Sequence, residues 1–303
     1  MHGVLPVLGL LANALIWGLS WWPFRILHGA GLHPLWATAL MYSLMAAGLI
    51  ALRPQSLRQA WQYPVLIALA ASSGLNNVAF NWAVTVGDVV RVILLFYLMP
   101  AWAVLLAWRI LGERPTPLAI ARLLLAFGGV VLVLLPADAS LAGLFAQLSL
   151  ADALAVSGGF MFALTNVLLR RFQGIPGQAR MLAMFVGCMC MGWISAASAH
   201  GLGLVPGLPG IGGAWLGTAI ALAALLMFGN ATLQYGASRL PSGVTSVVML
   251  SEVVFASVSS VLIAHEHLSL RTLAGGALIM GAALLAALGN VRKKRSNHPL
   301  KPC

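Results

Sequence analysis

The sequence predicts an all-α polytopic membrane protein with ten transmembrane helices, arranged as two inverted five-helix repeats. Three observations predict this fold class: a charge-poor composition, apolar runs of about 20 residues, and an internal repeat with an offset of 153 residues. Of the 303 residues, 61% are hydrophobic and 8% are charged. Soluble domains carry about 25% charged residues, so this chain has too few charges to cover a soluble surface.

The same composition argues against two other classes of protein. Disordered chains are polar, whereas this chain is mostly apolar. Outer-membrane barrels show alternating segments of about 10 residues, whereas the apolar runs here are continuous. A bundle of membrane-spanning helices therefore explains the sequence best.

Each predicted span is an apolar run long enough to cross a bilayer, and the connections between spans are short. The first span contains Pro23, and the fifth is the shortest. No connection is long enough to hold a soluble domain; the longest are 136–149 and 200–213. The ten predicted spans are residues 5–27, 34–52, 63–84, 89–110, 117–135, 150–169, 180–199, 214–236, 242–264 and 270–290.

The formal net charge of +11 is explained by membrane topology. With both termini in the cytoplasm, only Arg25, Arg91 and Arg271 fall outside, and the other fourteen of the seventeen Lys and Arg residues fall inside. Lys and Arg concentrate in cytoplasmic loops, so this bias predicts ten spans with both termini in the cytoplasm. The basic charge therefore does not predict a nucleic-acid partner.

No cofactor or metal site is predicted. Cys188 and Cys190 are two residues apart on a helix and point in different directions. His265 and His267 flank Glu266 in a short connection, without the spacing of a zinc-binding helix. Glu266 and its repeat mate Glu113 are predicted to cap the starts of helices, where an acidic side chain is favourable.

The internal repeat aligns residues 72–135 with residues 225–288 without gaps. An odd number of spans in each half means that the second half enters the membrane from the opposite side. The predicted halves are 1–140 and 141–303. Inverted repeats are common in secondary transporters, which bind substrate near the midplane between the halves.

Polar positions coincide across the repeat. Asn77 and Asn81 share one helix face, since they are four residues apart, and the offset carries them onto Asn230 and Gln234. Two facing pairs of amides can hold the ammonium and carboxylate groups of a zwitterion without net charge. The alternative is that these amides hydrogen-bond helices together.

Other intramembrane side chains complete the predicted binding site. Glu252 is the only acidic residue near the middle of a predicted span. It is interpreted either as an ammonium partner or proton carrier, or as a neutral acid with a structural hydrogen bond. Arg91 is interpreted as snorkelling to the interface rather than attracting a substrate carboxylate. Aromatic rings within spans can line a cavity or simply pack. The further candidates, seven aromatic residues and one amide, are Trp17, Trp21, Trp82, Tyr97, Trp102, Phe162, Tyr235 and Asn166.

Two stretches resemble the EamA type of the drug/metabolite transporter superfamily. From Pro100 to Thr116 the chain reads Pro, eleven residues, then Gly-Glu-Arg-x-Thr, and residues 250–269 read LSEVVFASVSSVLIAHEHLS. In the second stretch Val253 and His265 stand where the family usually has Pro and Gly. Overall the chain resembles the YddG-type aromatic amino acid exporters of bacterial inner membranes, which implies that localisation. The resemblance covers about residues 5–290 and implies a fold of five plus five spans.

That resemblance implies export of aromatic and other apolar amino acids through a central cavity by alternating access, with the chain acting as a monomer. The alternative is a proton-coupled drug or multidrug exporter. The small multidrug exporters of this superfamily use a Glu in the first span, and the first span of this chain contains no Glu. A third class, an intramembrane enzyme, would require clustered acids, a zinc motif or a nucleophile elbow, and the sequence contains none of them.

Overall fold

A computed structural model describes residues 4–112, 115–134, 148–210, 215–237, 248–249, 251–265 and 269–296. Over these residues the chain is helical and contains no β-strand. The helices are α1 (Val4–Leu19), α2 (Trp21–Gly29), α3 (Pro34–Leu52), α4 (Gln55–Trp61), α5 (Leu66–Val86), α6 (Val89–Phe96), α7 (Met99–Leu111), α8 (Pro117–Leu134), α9 (Leu150–Arg171), α10 (Gly177–Gly201), α11 (Trp215–Ala237), α12 (Ser251–Ile263) and α13 (Leu270–Ser296).

Six helical stretches of the described chain are long and apolar enough to cross a membrane. The pair α4 and α5, bent by 111°, makes up to seven. Three shorter apolar helices lie within α8, α12 and α13. The prediction of an all-α polytopic membrane protein is therefore confirmed at this level.

Two of the candidate spans are interrupted, and each interruption lies one turn before a proline. Proline has no N–H to donate to the carbonyl four residues earlier. For Pro23 that carbonyl belongs to Leu19, where α1 ends; for Pro100 it belongs to Phe96, where α6 ends. The prolines thus account for the breaks between α1 and α2 and between α6 and α7.

The helices do not pack simply in chain order. The ninth helix, α9, packs against α5, α6 and α7, which come from the first part of the chain. Conversely, α1 packs against α11 and α12 from the last part of the chain. Two mixed bundles result, one built from α5, α6, α7 and α9, and the other from α1, α11 and α12. Two further contacts, α3 with α10 and α8 with α13, also join the two parts of the chain.

Glycines permit the closest helix crossings. A Cβ on Gly187 of α10 would collide with the carbonyl of Ala70 on α5, and a Cβ on Gly74 would collide with the carbonyl of Gly187. Gly129 of α8 and Gly275 of α13 approach each other's carbonyl oxygens, which would lie 2.6–2.7 Å from an added Cβ. Small residues let membrane helices approach closely enough for backbone packing.

Candidate functional site

Five of the predicted aromatic residues lie in one apolar cluster around the break between α6 and α7. Trp21 and Tyr97 are buried in that cluster, and Trp17, Trp102 and Phe162 pack against it while partly buried. Trp17 also packs against the second large cluster, which lies mainly between α3, α10 and α11. The aromatic residues therefore come from α1, α2, α7, α9 and the α6–α7 break, and include members of both mixed bundles.

Trp102 stands between two other rings of this cluster. Its ring makes edge contacts with Phe127 at 5.7 Å and Phe160 at 5.6 Å between centroids. Phe162 packs on Phe96 at 5.5 Å. The indole N–H of Trp102 is buried and has no hydrogen-bond partner among the described residues. Buried tryptophan N–H groups usually have a hydrogen-bond partner, so this N–H is available to donate to a bound molecule.

Trp21 links the first span to α12. Its indole N–H donates to the Ser259 hydroxyl at 3.0 Å. The guanidinium of Arg25 lies 5.0 Å from the Trp21 ring, which is within cation–π range. Arg25 also donates to the Gly87 carbonyl at 2.6 Å, in the turn between α5 and α6. Arg25 thus connects the first span to the bundle that contains α5 and α6.

Polar groups meet around Met249. The Tyr97 hydroxyl donates to the Met249 carbonyl at 3.4 Å and lies beside the Glu252 carboxyl. The Asn13 amide N–H donates to the Met249 sulfur at 3.6 Å. Sequence reasoning selected Tyr97 and Glu252 but missed Asn13 and Met249. A single amide inside the apolar run of the first span was the signal that could have identified Asn13.

The predicted amides on α5 lie in a helix interface, away from Met249. Asn77 accepts from the Tyr42 hydroxyl and donates to the Ser73 carbonyl at 3.0 Å, within the same helix. Asn81 donates to the Thr38 hydroxyl at 2.9 Å. Both amides are buried between α5 and α3, which is the geometry of the helix-joining alternative.

The remaining candidates lie apart from one another. Asn166 is exposed and donates to the Phe162 carbonyl of its own helix, and Asn230 donates to the Leu226 carbonyl in the same way. Trp82 packs edge-on against His33, with centroids 5.3 Å apart. Tyr235 is 40% exposed. The side chain of Gln234 lies outside the described residues, as do Glu113 and Glu266, the predicted helix caps.

His33 caps the start of α3, next to Trp82. Its Nδ1 accepts from the Leu35 backbone N–H at 3.3 Å, and Pro34 follows in the first turn, where its missing N–H is not needed. Burial, together with the neighbouring His28, lowers the pKa of His33 from 6.5 to about 4. The ring is therefore neutral at pH 7 and serves as a hydrogen-bond acceptor.

We expect the folded protein to lose stability as the pH falls from about 6.5 to about 4. In that window unfolded His33 binds a proton and folded His33 does not, so protons favour unfolding. The expected loss is on the order of 1–2 kcal/mol, since one unit of pKa difference corresponds to about 1.4 kcal/mol and solvent screening reduces the full effect. Asparagine caps helices without titrating. Melting temperatures in detergent should therefore depend less on pH in His33→Asn than in the wild type; parallel curves would contradict this prediction.

Arg91, interpreted from the sequence as a snorkelling side chain, has a protein partner. Its guanidinium forms a two-pronged ion pair with Asp152 of α9, at 2.7 and 2.9 Å. Asp152 also accepts from the Ser149 backbone N–H at 2.9 Å, in a capping box at the start of α9. The pair joins α6 to α9 at one end of their bundle. The sequence did not reveal this partner because the two residues are 61 positions apart.

The described part of the chain contains no group of three His, Cys, Asp or Glu side chains that could hold a metal ion. Within it, the chemistry of the site comes from aromatic rings, one carboxyl group, hydroxyls and amides. Such a lining suits noncovalent binding of a small molecule with an apolar part.

The fold and this lining define a polytopic α-helical membrane protein with an aromatic and polar centre. The model of the EamA-like transporter family matches residues 4–135 and again residues 149–288. The chain therefore belongs to the EamA-like transporter family, whose members are membrane transporters of small molecules and not enzymes. The relationship to the drug/metabolite transporters expected from Pro100–Thr116 is thereby confirmed.

A solved crystal structure shares the fold of this chain. The alignment has a TM-score of 0.59 at 22% identity and covers 95% of this chain and 98% of the other. No curated protein matches the sequence. The likeness at this level of identity concerns the fold alone.

Proposed function

We propose that this transporter exports aromatic and other apolar amino acids through a central cavity. The observation that carries the proposal is a cluster that contains five rings, one of which, Tyr97, lies beside the Glu252 carboxyl; the rings are Trp17, Trp21, Tyr97, Trp102 and Phe162. Rings pack favourably against an aromatic solute. A membrane-embedded carboxyl group is costly, and such groups tend to mark substrate pathways.

We further propose that ten spans form two inverted repeats, with halves at residues 1–140 and 141–303. The two separate matches to the family model support this arrangement. So does the reciprocal packing, in which α9 contacts α5, α6 and α7 while α1 contacts α11 and α12. Gly18 of α1 approaches the Glu252 carbonyl closely, and Gly159 of α9 approaches the Phe96 carbonyl in the same manner.

The proposed mechanism is alternating access, in which the two mixed bundles rock around the cavity. Tyr97 donates to the Met249 carbonyl between the bundles, and Arg25 of α2 donates to the Gly87 carbonyl next to the first bundle. Rocking would exchange these bonds for others. The charge bias supports an orientation with both termini in the cytoplasm, and we propose a bacterial inner membrane from the resemblance to bacterial exporters. We propose that the monomer suffices, because all the proposed site residues come from one chain.

Transport by purified protein in liposomes tests this function. We expect phenylalanine, tryptophan, methionine and threonine to move down their gradients. Exclusion of all four by folded protein would refute the proposed substrate class. This assay needs no assumption about ion coupling.

We expect Trp102→Ala to reduce phenylalanine flux about tenfold, because full burial of an aromatic side chain contributes roughly 1.5–3 kcal/mol. Trp108→Ala is the matched control, since Trp108 lies on the same helix and is 53% exposed. Its flux should equal that of the wild type. Equal flux in both variants would contradict the assignment of Trp102 to the site.

Glu252 favours one alternative, a proton-coupled drug or multidrug exporter. A carboxyl group within a membrane protein can carry the coupled proton. Flux measured with and without a pH gradient separates the two functions. Facilitated export of amino acids requires flux without the gradient, whereas coupling requires that Glu252→Gln abolish the stimulation by the gradient.

A further inference from the structure

Asn13 combines deep burial with an unsatisfied acceptor. The side chain lies in α1 and is 1% exposed. Its N–H donates only to the Met249 sulfur, a weak acceptor, and its Oδ1 has no hydrogen-bond partner within the described chain. An unpaired buried carbonyl is costly, since nothing replaces the water it loses on folding. Gly229 of α11 faces this oxygen, which would lie 3.3 Å from a Cβ added to that glycine.

Two further hydrogen-bond acceptors, the Met249 backbone carbonyl and the Glu252 carboxyl, lie in the segment that Asn13 contacts. The Met249 backbone carbonyl accepts from the Tyr97 hydroxyl, and that hydroxyl also lies beside the Glu252 carboxyl. Asn13 on α1 and Tyr97 after α6 thus both contact Met249, which lies just before α12. The Asn13 amide on α1 and the carbonyl and carboxyl groups of residues 249–252 are thus linked through contacts with Met249 and Tyr97.

We propose that Asn13, the Met249 carbonyl and Glu252 bind the primary ammonium group of the transported amino acid. This assignment rests on the proposed function and names the part of the substrate that the subsite recognises. An ammonium group has three donors and no acceptor, as a lysine head group does, so a set of three acceptors matches it. The carboxylate supplies the opposite charge, and hydrogen bonds that involve ionised groups are the strong ones.

The neighbouring aromatic rings would orient a substrate bound at this subsite. Trp17 and Trp21 follow Asn13 along the first span and pack in the same cluster as Tyr97. A substrate held by its ammonium group at Met249 would have its apolar side chain beside these rings. With the ammonium group on the Met249 carbonyl, the single Tyr97 O–H would be released from that carbonyl and could donate to the substrate carboxylate.

The first test uses wild-type protein and two analogues of phenylalanine. Phenethylamine keeps the ammonium group and lacks the carboxylate; 3-phenylpropionate keeps the carboxylate and lacks the ammonium group. In liposomes, we expect phenethylamine to inhibit phenylalanine transport at a concentration at least about tenfold lower than 3-phenylpropionate, since a site built for a donor rejects an analogue without it. Equal or stronger inhibition by 3-phenylpropionate would overturn the assignment.

The second test removes the acceptor. Asn13→Leu should weaken inhibition by phenethylamine about tenfold and leave inhibition by 3-phenylpropionate unchanged. Asn76→Leu is the matched control, because Asn76 is also buried with an unpartnered Oδ1 but lies on α5. Its inhibition profile should match the wild type. Equal loss for both inhibitors in Asn13→Leu would show a structural role and overturn the proposal.

Two outcomes separate this inference from the function on which it rests. If wild-type protein moves phenylalanine without preferring an ammonium group, the subsite is wrong and the exporter stands. If wild-type protein moves no amino acid, both are wrong. The analogue comparison needs no variant, so it decides the question even if Asn13→Leu does not fold.

Discussion

Gly187→Ala is expected to disrupt the crossing of α5 and α10 and to destabilise the protein by about 3 kcal/mol. The added Cβ would collide with the main chain of Ala70, which cannot rotate away as a side chain could. The two helices must separate, and they would lose the neighbouring contacts of Gly74 and Cys188. Thermal unfolding in detergent, followed by size-exclusion chromatography, measures the loss.

Gly128→Ala provides the control for this substitution. Gly128 lies within α8, and a Cβ there would meet nothing within 4 Å. The same chemical change should therefore be neutral or slightly stabilising, because alanine favours helix more than glycine does. Equal melting temperatures for Gly187→Ala and Gly128→Ala would show that the close crossing is not a constraint.

Arg91→Met is expected to destabilise the protein by about 3 kcal/mol, because it leaves the Asp152 carboxylate buried without its cation. Asp152 is 3% exposed, and its remaining described partner is the Ser149 cap. The double variant Arg91→Met/Asp152→Asn should recover part of the loss, since the amide carries no charge and can still cap α9.

The control for this pair is Arg109→Met, which removes an exposed guanidinium from α7. We expect it to change the melting temperature little, as surface charges contribute little. Additive losses in the double variant, with no recovery, would contradict a direct coupling between Arg91 and Asp152.

Much of the candidate site follows from residue type and local spacing. Trp17, Trp21, Tyr97, Trp102 and Phe162 were selected as aromatic side chains inside apolar runs, and they lie in one cluster. The reason is that a ring inside a span must pack on something, and rings pack well on one another. Whether these residues bind substrate stays a prediction.

The partners of the buried amides could not be predicted from the sequence. The spacing of Asn77 and Asn81 correctly places both on one helix face, yet spacing does not say what faces them. The groups that face them are the Tyr42 and Thr38 hydroxyls of α3. Asn13 escaped selection because a lone amide has no periodic pattern, and its burial beside Met249 depends on helices far apart in the chain.

The sequence by itself determined that this chain is an all-α membrane protein of the EamA-like family, because hydropathy and motif spacing are local properties of the chain. Helix formation is local too, since each helix satisfies its own backbone groups in lipid. Only the tertiary structure decided which helices meet: α9 with α5 to α7, and α1 with α11 and α12. Lipid tails are as apolar as the helix side chains, so hydropathy does not predict which helices pack against each other. Close glycine contacts, the Arg91–Asp152 pair and the hydrogen bonds at Met249 are specific to these partners, and they become visible only in three dimensions.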